Sequence, residues 1–430
     1  MESLDQKNYN QKINYLTSNF IAIFIAKIVI IFSNKSTICH IFYENYIKII
    51  NQSLVPYKDF FYEYPPFFAL LNIFPFALIK IENEPEYRFY INIFMLIFEL
   101  ITMKISLKIY TKLNNNKIEI IEKKRFYLIW ISLTFCLSFF IYQNLEYAVV
   151  MLFVLGILFF NISENKNNFK FYLVSIIGIF TKIISSLNLP LAVFFHSYKK
   201  SKNFSEFIFL TFRTGLFLGF IIVLIILIFE YFFDFKMIKD LSSQYFRSIE
   251  IFSLIGNYIF ITNKIFGIKS EIYFAMNMSI KPNAYLNVFL ATHLFKIIYF
   301  LFIFTTFVIL AINKKKNKEI LIDLLLFIEG SATIILIFLS FHNVGSPQFI
   351  CYLVPIISIL AIHYRSKKLL FFSLIIFALT PILFPFFPIN LKNEKFIMLL
   401  ILTIRNLTIL FTCFYFIVKF FQKLLKPLKN

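Results

Sequence analysis

The chain has 430 residues, 59% of them hydrophobic, with a mean hydropathy of +0.77. A soluble domain is about half apolar at most, so a soluble globular protein is excluded and an all-α polytopic membrane protein is expected. The formal charge is +20, but the Lys and Arg residues punctuate apolar runs instead of forming one basic face, which fits membrane topology and argues against a nucleic-acid partner.

Lys7 and Lys12 precede the first apolar run, 14–33, and place the N-terminus in the cytoplasm. That run lacks a small-residue cleavage site and reads as a retained helix. The next basic cluster, Lys112, Lys117, Lys123, Lys124 and Arg125, is also cytoplasmic, so an even number of crossings separates the two. Two apolar runs lie between, 65–81 and 88–111, in addition to the first. Run 65–81 is short, opens on Pro65-Pro66 and contains Pro75, so it is expected to be an interfacial or re-entrant helix on the outer side. Runs 126–142 and 146–162 form a hairpin around the turn QNLE (143–146), and Lys166 and Lys170 return to the inside. Residues 171–197 must leave and come back before Lys199, Lys200 and Lys202, as two short passes bent around SSLNLP (185–190). A broken helix at membrane depth lines a cavity. A span at 206–233 leads to a long outer loop, 234–287, and 288–312 returns to Lys314, Lys315, Lys316 and Lys318. Spans at 319–341, 349–364, 369–387 and 397–420 complete the chain, with Arg365, Lys367, Lys368 and a basic tail inside.

The expected architecture is one domain over 1–430 with about twelve crossings (11–13), both termini cytoplasmic, a first outer loop over 34–87 and a second over 234–287. A place integral to the cytoplasmic membrane is expected. The unusual polar stretches fall on the outer side, and no internal repeat is visible, unlike the paired repeats of many transporters. This points to a reaction at the outer face.

Four stretches carry candidate chemistry. In LVPYKDFFYEYPPFF (54–68), Asp59 and Glu63 are four apart and share a face if helical. A carboxylate among apolar groups can act as a general base; both also read as solvated loop charges. Among charges in or near spans, Glu99, Lys182, Arg213, Glu230, Glu329 and Arg405, those near helix ends can snorkel. Lys182 lies in the broken segment, where it can meet a lipid phosphate or pair with Glu99 or Glu329. In SSQYFRSIEIFSLIGN (242–257), Arg247 either pairs with Glu250 or grips a phosphate, to which guanidinium geometry is suited. In HNVGSPQ (342–348), Pro347 opens a span and places His342 and Gln348 at the surface.

There is no P-loop, HExxH or glycine-rich dinucleotide motif, and only eight glycines. The four cysteines have no metal or redox spacing. No cofactor is expected.

Taken in order, PYKDFFYEYPP (56–66), TKIISSLNLP (181–190), YFRSIEIFS (245–253) and SPQFICYLVP (346–355) resemble stretches of prokaryotic membrane glycosyltransferases of the GT-C superfamily, mannosyltransferase-like group. The resemblance spans some 300 residues and rests on the ordered set. It implies a polyprenyl-phosphate sugar donor with mannose as the sugar, a glycan or lipid-linked acceptor, and transfer on the non-cytoplasmic face. It also implies a first-loop carboxylate as base, with neither nucleotide sugar nor essential metal. Carried onto this sequence, Asp59 is the base, with Glu63 and Glu44 as alternatives. Arg247 and Lys182 hold the donor phosphate, and Tyr57, Tyr64, Gln244, Glu250 and Gln348 line the substrate site. Direct attack inverts the anomeric centre and needs one carboxylate, unlike the carboxyl pair of a glycosidase. One departure stands out: in STICHIFYENY (36–46), His40 occupies a place where relatives often carry an acid, and Glu44 is the nearest one. A lipid or polysaccharide transporter or flippase, and a surface polysaccharide polymerase or ligase, are the alternative readings.

Overall fold

The computed structural model describes residues 4–33, 40–73, 79, 81–138, 142, 145–160, 165–242, 249–250, 252–266, 272–274, 278–280, 285–383 and 396–426. Among them the chain is almost wholly helical. Helices α1 (Leu4–Ser33), α2 (His40–Tyr46) and α3 (Pro66–Ile73) lead to α4 (Glu84–Leu113), α5 (Ile120–Cys136), α6 (Glu146–Phe159) and α7 (Asn165–Ile179). A 3-10 turn at Ile183–Ser186 precedes α8 (Leu189–Lys200), α9 (Phe204–Phe232), α10 (Met237–Ser242) and α11 (Leu254–Ile265). The chain ends with α12 (Tyr285–Lys315), α13 (Leu324–Phe341), a 3-10 segment Pro347–Tyr352, α14 (Leu353–His363), α15 (Lys367–Leu383) and α16 (Phe396–Leu425).

Six of these helices are long and apolar enough to cross a membrane: the Gln11–Ser33 part of α1, α4, α9, the His293–Lys315 part of α12, α13 and α16. Shorter apolar helices stand at three further positions where the charge pattern expects passes, in α6, α7 and α14. Among the described residues of run 65–81, the eight of α3 are helical. Residues 74–78 and 80 of that run lie outside the described residues.

Several helices start on the residues their chemistry favours. Asn83 and Asn203 accept from Glu86 N (3.0 Å) and Glu206 N (2.9 Å), while those glutamates reach back to the backbone of Glu82 and Lys202. These reciprocal caps satisfy orphan amides at the starts of α4 and α9. Asp323 does the same for α13 through Leu326 N, at 2.7 Å.

The core sits on α13, nearly all of which is buried, packed against α16, α12 and α14, with α4, α6 and α7 beside it. By contrast α9 and α1 expose most of their apolar surface, including Leu216, Phe220 and Leu227 on α9 and Ile21, Ile25 and Val29 on α1. Exposed stripes of this size are what a bilayer covers. α1 nevertheless sends one charge inward. Lys27 is fully buried and pairs with Glu99 of α4 at 2.5 and 2.6 Å, while Thr134 and Trp130 of α5 bond to the same two groups at 2.9 and 3.0 Å. Tyr142 also donates to Glu99.

The segment between α10 and α12 contains a small sheet. Ile249–Glu250 (β1), Ile272–Phe274 (β2) and Met278–Ile280 (β3) form an antiparallel sheet in the order β1-β3-β2, with Glu250 opposite Ser279.

Candidate functional site

The break predicted between residues 171 and 197 is present. α7 stops at Ile179, the chain turns through Ile183–Ser186, and Pro190 opens α8. Side chains satisfy the freed backbone at membrane depth, as such a break requires. Ser186 donates to Ser175 O (2.5 Å), Ser185 to Lys182 O (2.9 Å) and Tyr299 to Leu187 O (2.7 Å). The turn therefore holds Lys182 in a fixed place.

Lys182 pairs with neither Glu99 nor Glu329. Glu99 is taken by Lys27, and Glu329 by Lys419 (3.3 Å) and Lys423 (2.8 Å) of α16. The partner of Lys182 is Glu146. The sequence placed Glu146 in the polar turn QNLE, but it lies in the first turn of α6 and is buried. Its carboxylate sits at the positive end of that helix and also accepts from Tyr352 Oη at 3.3 Å. The Lys182 ammonium is 4.8 Å from the centre of the Phe349 ring and 6.0 Å from that of Tyr64. An ammonium has three donors, and the Lys182 side chain keeps 14% of its surface exposed beside an almost sealed Glu146. The result is an anchored cation walled by aromatic faces, suited to an anionic group.

The segment between α2 and α3 is folded onto this point. Phe67 N donates to Phe180 O at 2.8 Å, so the YPPF turn is bonded to the end of α7. Tyr62 N donates to Asp240 of α10 at 3.1 Å, and Lys58 pairs with Asp234 at 3.1 Å. Tyr57 is buried with a φ of 66°, a left-handed conformation uncommon for a non-glycine residue. Its ring packs 4.7 Å from that of Phe233 and its hydroxyl donates to Tyr64 O. Burial pushes the phenols of Tyr57 and Tyr62 up, helped by Tyr62 and Asp240 for Tyr57 and by Glu63 for Tyr62. Both stay neutral donors at physiological pH.

The three first-loop carboxylates have different settings. Asp59 is exposed, and its Oδ2 accepts from Val55 N at 2.7 Å, which orients the group. Glu63 is buried, one residue from Tyr64. Glu44 is exposed and pairs with His40 at 3.1 Å, and the other nitrogen of that ring lies 3.0 Å from Glu84. His40 thus lies between Glu44 and Glu84.

The second outer loop meets the SPQ turn beside this site. Glu250, expected to touch substrate, is buried, and Ser346 Oγ donates to both its oxygens at 3.1 and 3.0 Å. Glu250 N donates to Asn343 O at 3.0 Å. Arg405 and Asn406 of α16 hold the Phe252 carbonyl, each at 3.3 Å. Arg405 is therefore a buried clasp on this loop, and Glu230, expected to snorkel, instead caps the start of α10 through Ile238 N. Gln348 is half-buried next to Phe349. Arg247 and Gln244 lie outside the described residues.

Gly345 explains how the turn fits. A Cβ on it would stand 2.5 Å from Ser253 Cα and closer still to the Ser253 nitrogen and the Phe252 carbonyl carbon. These are backbone atoms and cannot rotate away. Gly345→Ala is expected to cost about 1–3 kcal/mol as an overpacked contact. Thermal unfolding in detergent should fall accordingly, and hydrogen exchange should rise first in residues 249–257. An unchanged melt and exchange pattern would show that the loop is held elsewhere.

Sequence reasoning thus missed Glu146, Tyr352 and Phe349. The signal for Phe349 was present in SPQF, but Glu146 looked solvated because its neighbours are polar. Among the described residues no three His, Cys, Asp or Glu side chains come together as a metal cage. Comparison of the chain with protein-family models, curated proteins and solved structures finds no match.

Proposed function

We propose that this chain is an integral-membrane glycosyltransferase of GT-C type that moves a monosaccharide from a polyprenyl phosphate to a glycan or lipid-linked acceptor. The observation that carries this reading is the meeting of three separated stretches around one ammonium. Tyr64 comes from EYPP, Lys182 from TKIISSLNLP and Phe349 from SPQF, with Glu146 anchoring the cation. In this reading the chain crosses about twelve times with both termini cytoplasmic, α3 lies at the outer surface, and the site faces away from the cytoplasm.

Each group then has a task. The Lys182 ammonium, held by Glu146, binds the donor phosphate as a point charge. Arg247 serves as the second cation, and Tyr57, Tyr64, Gln244, Glu250 and Gln348 shape the sugar site. Asp59 takes the proton of the acceptor hydroxyl while that oxygen bonds to the anomeric carbon and the bond from that carbon to the phosphate oxygen breaks. The electron pair leaves with the lipid phosphate, and the anomeric centre inverts. Asp59 suits this task because Val55 N fixes one of its oxygens and leaves the other for the proton.

Membranes carrying the protein, given a panel of radiolabelled polyprenyl-phosphate sugars, should form a labelled glycan. Asp59→Asn should lower transfer by at least about 10²-fold, within the range for a positioned base, at unchanged protein abundance. Wild-type rates in both Asp59→Asn and Glu63→Gln would overturn a first-loop base in this part of the loop. Activity only with a diphosphate-linked oligosaccharide, or lipid movement in liposomes without bond formation, would overturn the reading itself.

A further inference from the structure

Lys104, Lys108 and Lys112 recur every fourth residue near the C-terminal end of α4, so they stand one above another on one face. They line a groove of about 620 Å³ together with Leu107 and, from α6, Leu158. No described acidic side chain lines it. Lys104 and Lys108 are exposed and pair with no described residue. The same face continues toward the other end of the helix as Ile101 and Ile97, both exposed, one and two turns before Lys104.

This sequence of groups is unusual for a helix inside a bilayer. Lys104 stands about 13 Å along the axis from the end of α4. Lys104 and Lys108, one turn apart with no described acidic partner, repel one another. An anion in the groove offsets that repulsion. The face runs from exposed isoleucines to a groove lined by the stacked lysines, Thr111 and Asn116 along with the two leucines. That order matches an acyl chain followed by a phosphodiester.

From this charge and apolar complementarity we infer that the groove is a binding site for an anionic phospholipid, with its phosphodiester on Lys104 and Lys108 and an acyl chain along Ile97 and Ile101. The site is separate from the Lys182 cluster and does not depend on the glycosyltransferase reading.

The test uses the full chain purified in a non-ionic detergent, with lipid occupancy read by native mass spectrometry. Dioleoylphosphatidylglycerol, dioleoylphosphatidylcholine and inorganic phosphate are the probes. Phosphatidylglycerol should bind about 10- to 30-fold more tightly than phosphatidylcholine, since each lysine near an anionic lipid contributes on the order of five-fold. Lys104→Gln/Lys108→Gln should remove most of that preference while its thermal unfolding stays at the wild-type value. Inorganic phosphate at millimolar concentration should not displace the lipid. Displacement by phosphate would assign the groove to free anions and overturn the proposal. Equal binding of the two lipids, or an undiminished preference in the double variant, would also overturn it.

Discussion

Lys182→Met is expected to abolish sugar transfer, and to do so for a reason that a second substitution can isolate. The single change leaves Glu146 buried without its cation, at the start of α6. Removing one partner of a buried pair costs about 3–5 kcal/mol, whereas replacing both by apolar groups is often neutral. Lys182→Met alone should therefore lose stability as well as activity. Lys182→Met/Glu146→Leu should regain most of the stability but no activity, because the cation that faces Tyr64 and Phe349 is still missing. Lys182→Arg keeps a charge but not the compact geometry of an ammonium, so partial transfer is expected. The measurements are thermal unfolding in detergent and transfer from a labelled polyprenyl-phosphate sugar. A double variant that is stable and transfers at the wild-type rate would remove Lys182 from the site.

The largest effect on stability is expected at the other buried pair. Lys27→Met leaves Glu99 sealed in the interior beside Trp130 and Tyr142, and should cost about 3–5 kcal/mol. Lys27→Met/Glu99→Gln should recover much of that, because a neutral amide still offers an oxygen to the Trp130 Nε1 and Tyr142 donors. Trp130 is the single tryptophan of the chain and bonds Glu99 at 3.0 Å. Its emission therefore reports this pair directly, and should shift in the single variant before global unfolding. α1 is otherwise mostly exposed, so its detachment is the expected first step of unfolding. Equal melting of Lys27→Met and wild type would show that α1 is held by its apolar contacts alone.

These two pairs mark the boundary of what could be read along the chain. The helices, their approximate ends and the break near residue 185 follow from runs of apolar residues, from caps such as Asn83 and Asn203, and from Pro190. Those signals are local: a bilayer demands a certain length of apolar chain, and a cap acts within one turn. First-loop aromatics and the SPQ turn were also visible as unusual patterns. Partners were not. Lys182 had two acidic candidates, Glu99 and Glu329, and the one it meets, Glu146, was hidden in a turn that looked wet. Lys27 sat unremarked in the first apolar run, and the bond from Ser346 to Glu250 joins stretches far apart in sequence.

The sequence by itself determined that this protein is a membrane-embedded helical chain, because hydrophobic run length and cap chemistry are properties of neighbouring residues. The tertiary structure decided which charge meets which. An ion pair inside a low-dielectric bundle is chosen by the packing of helices far apart in sequence, and no local pattern encodes that choice.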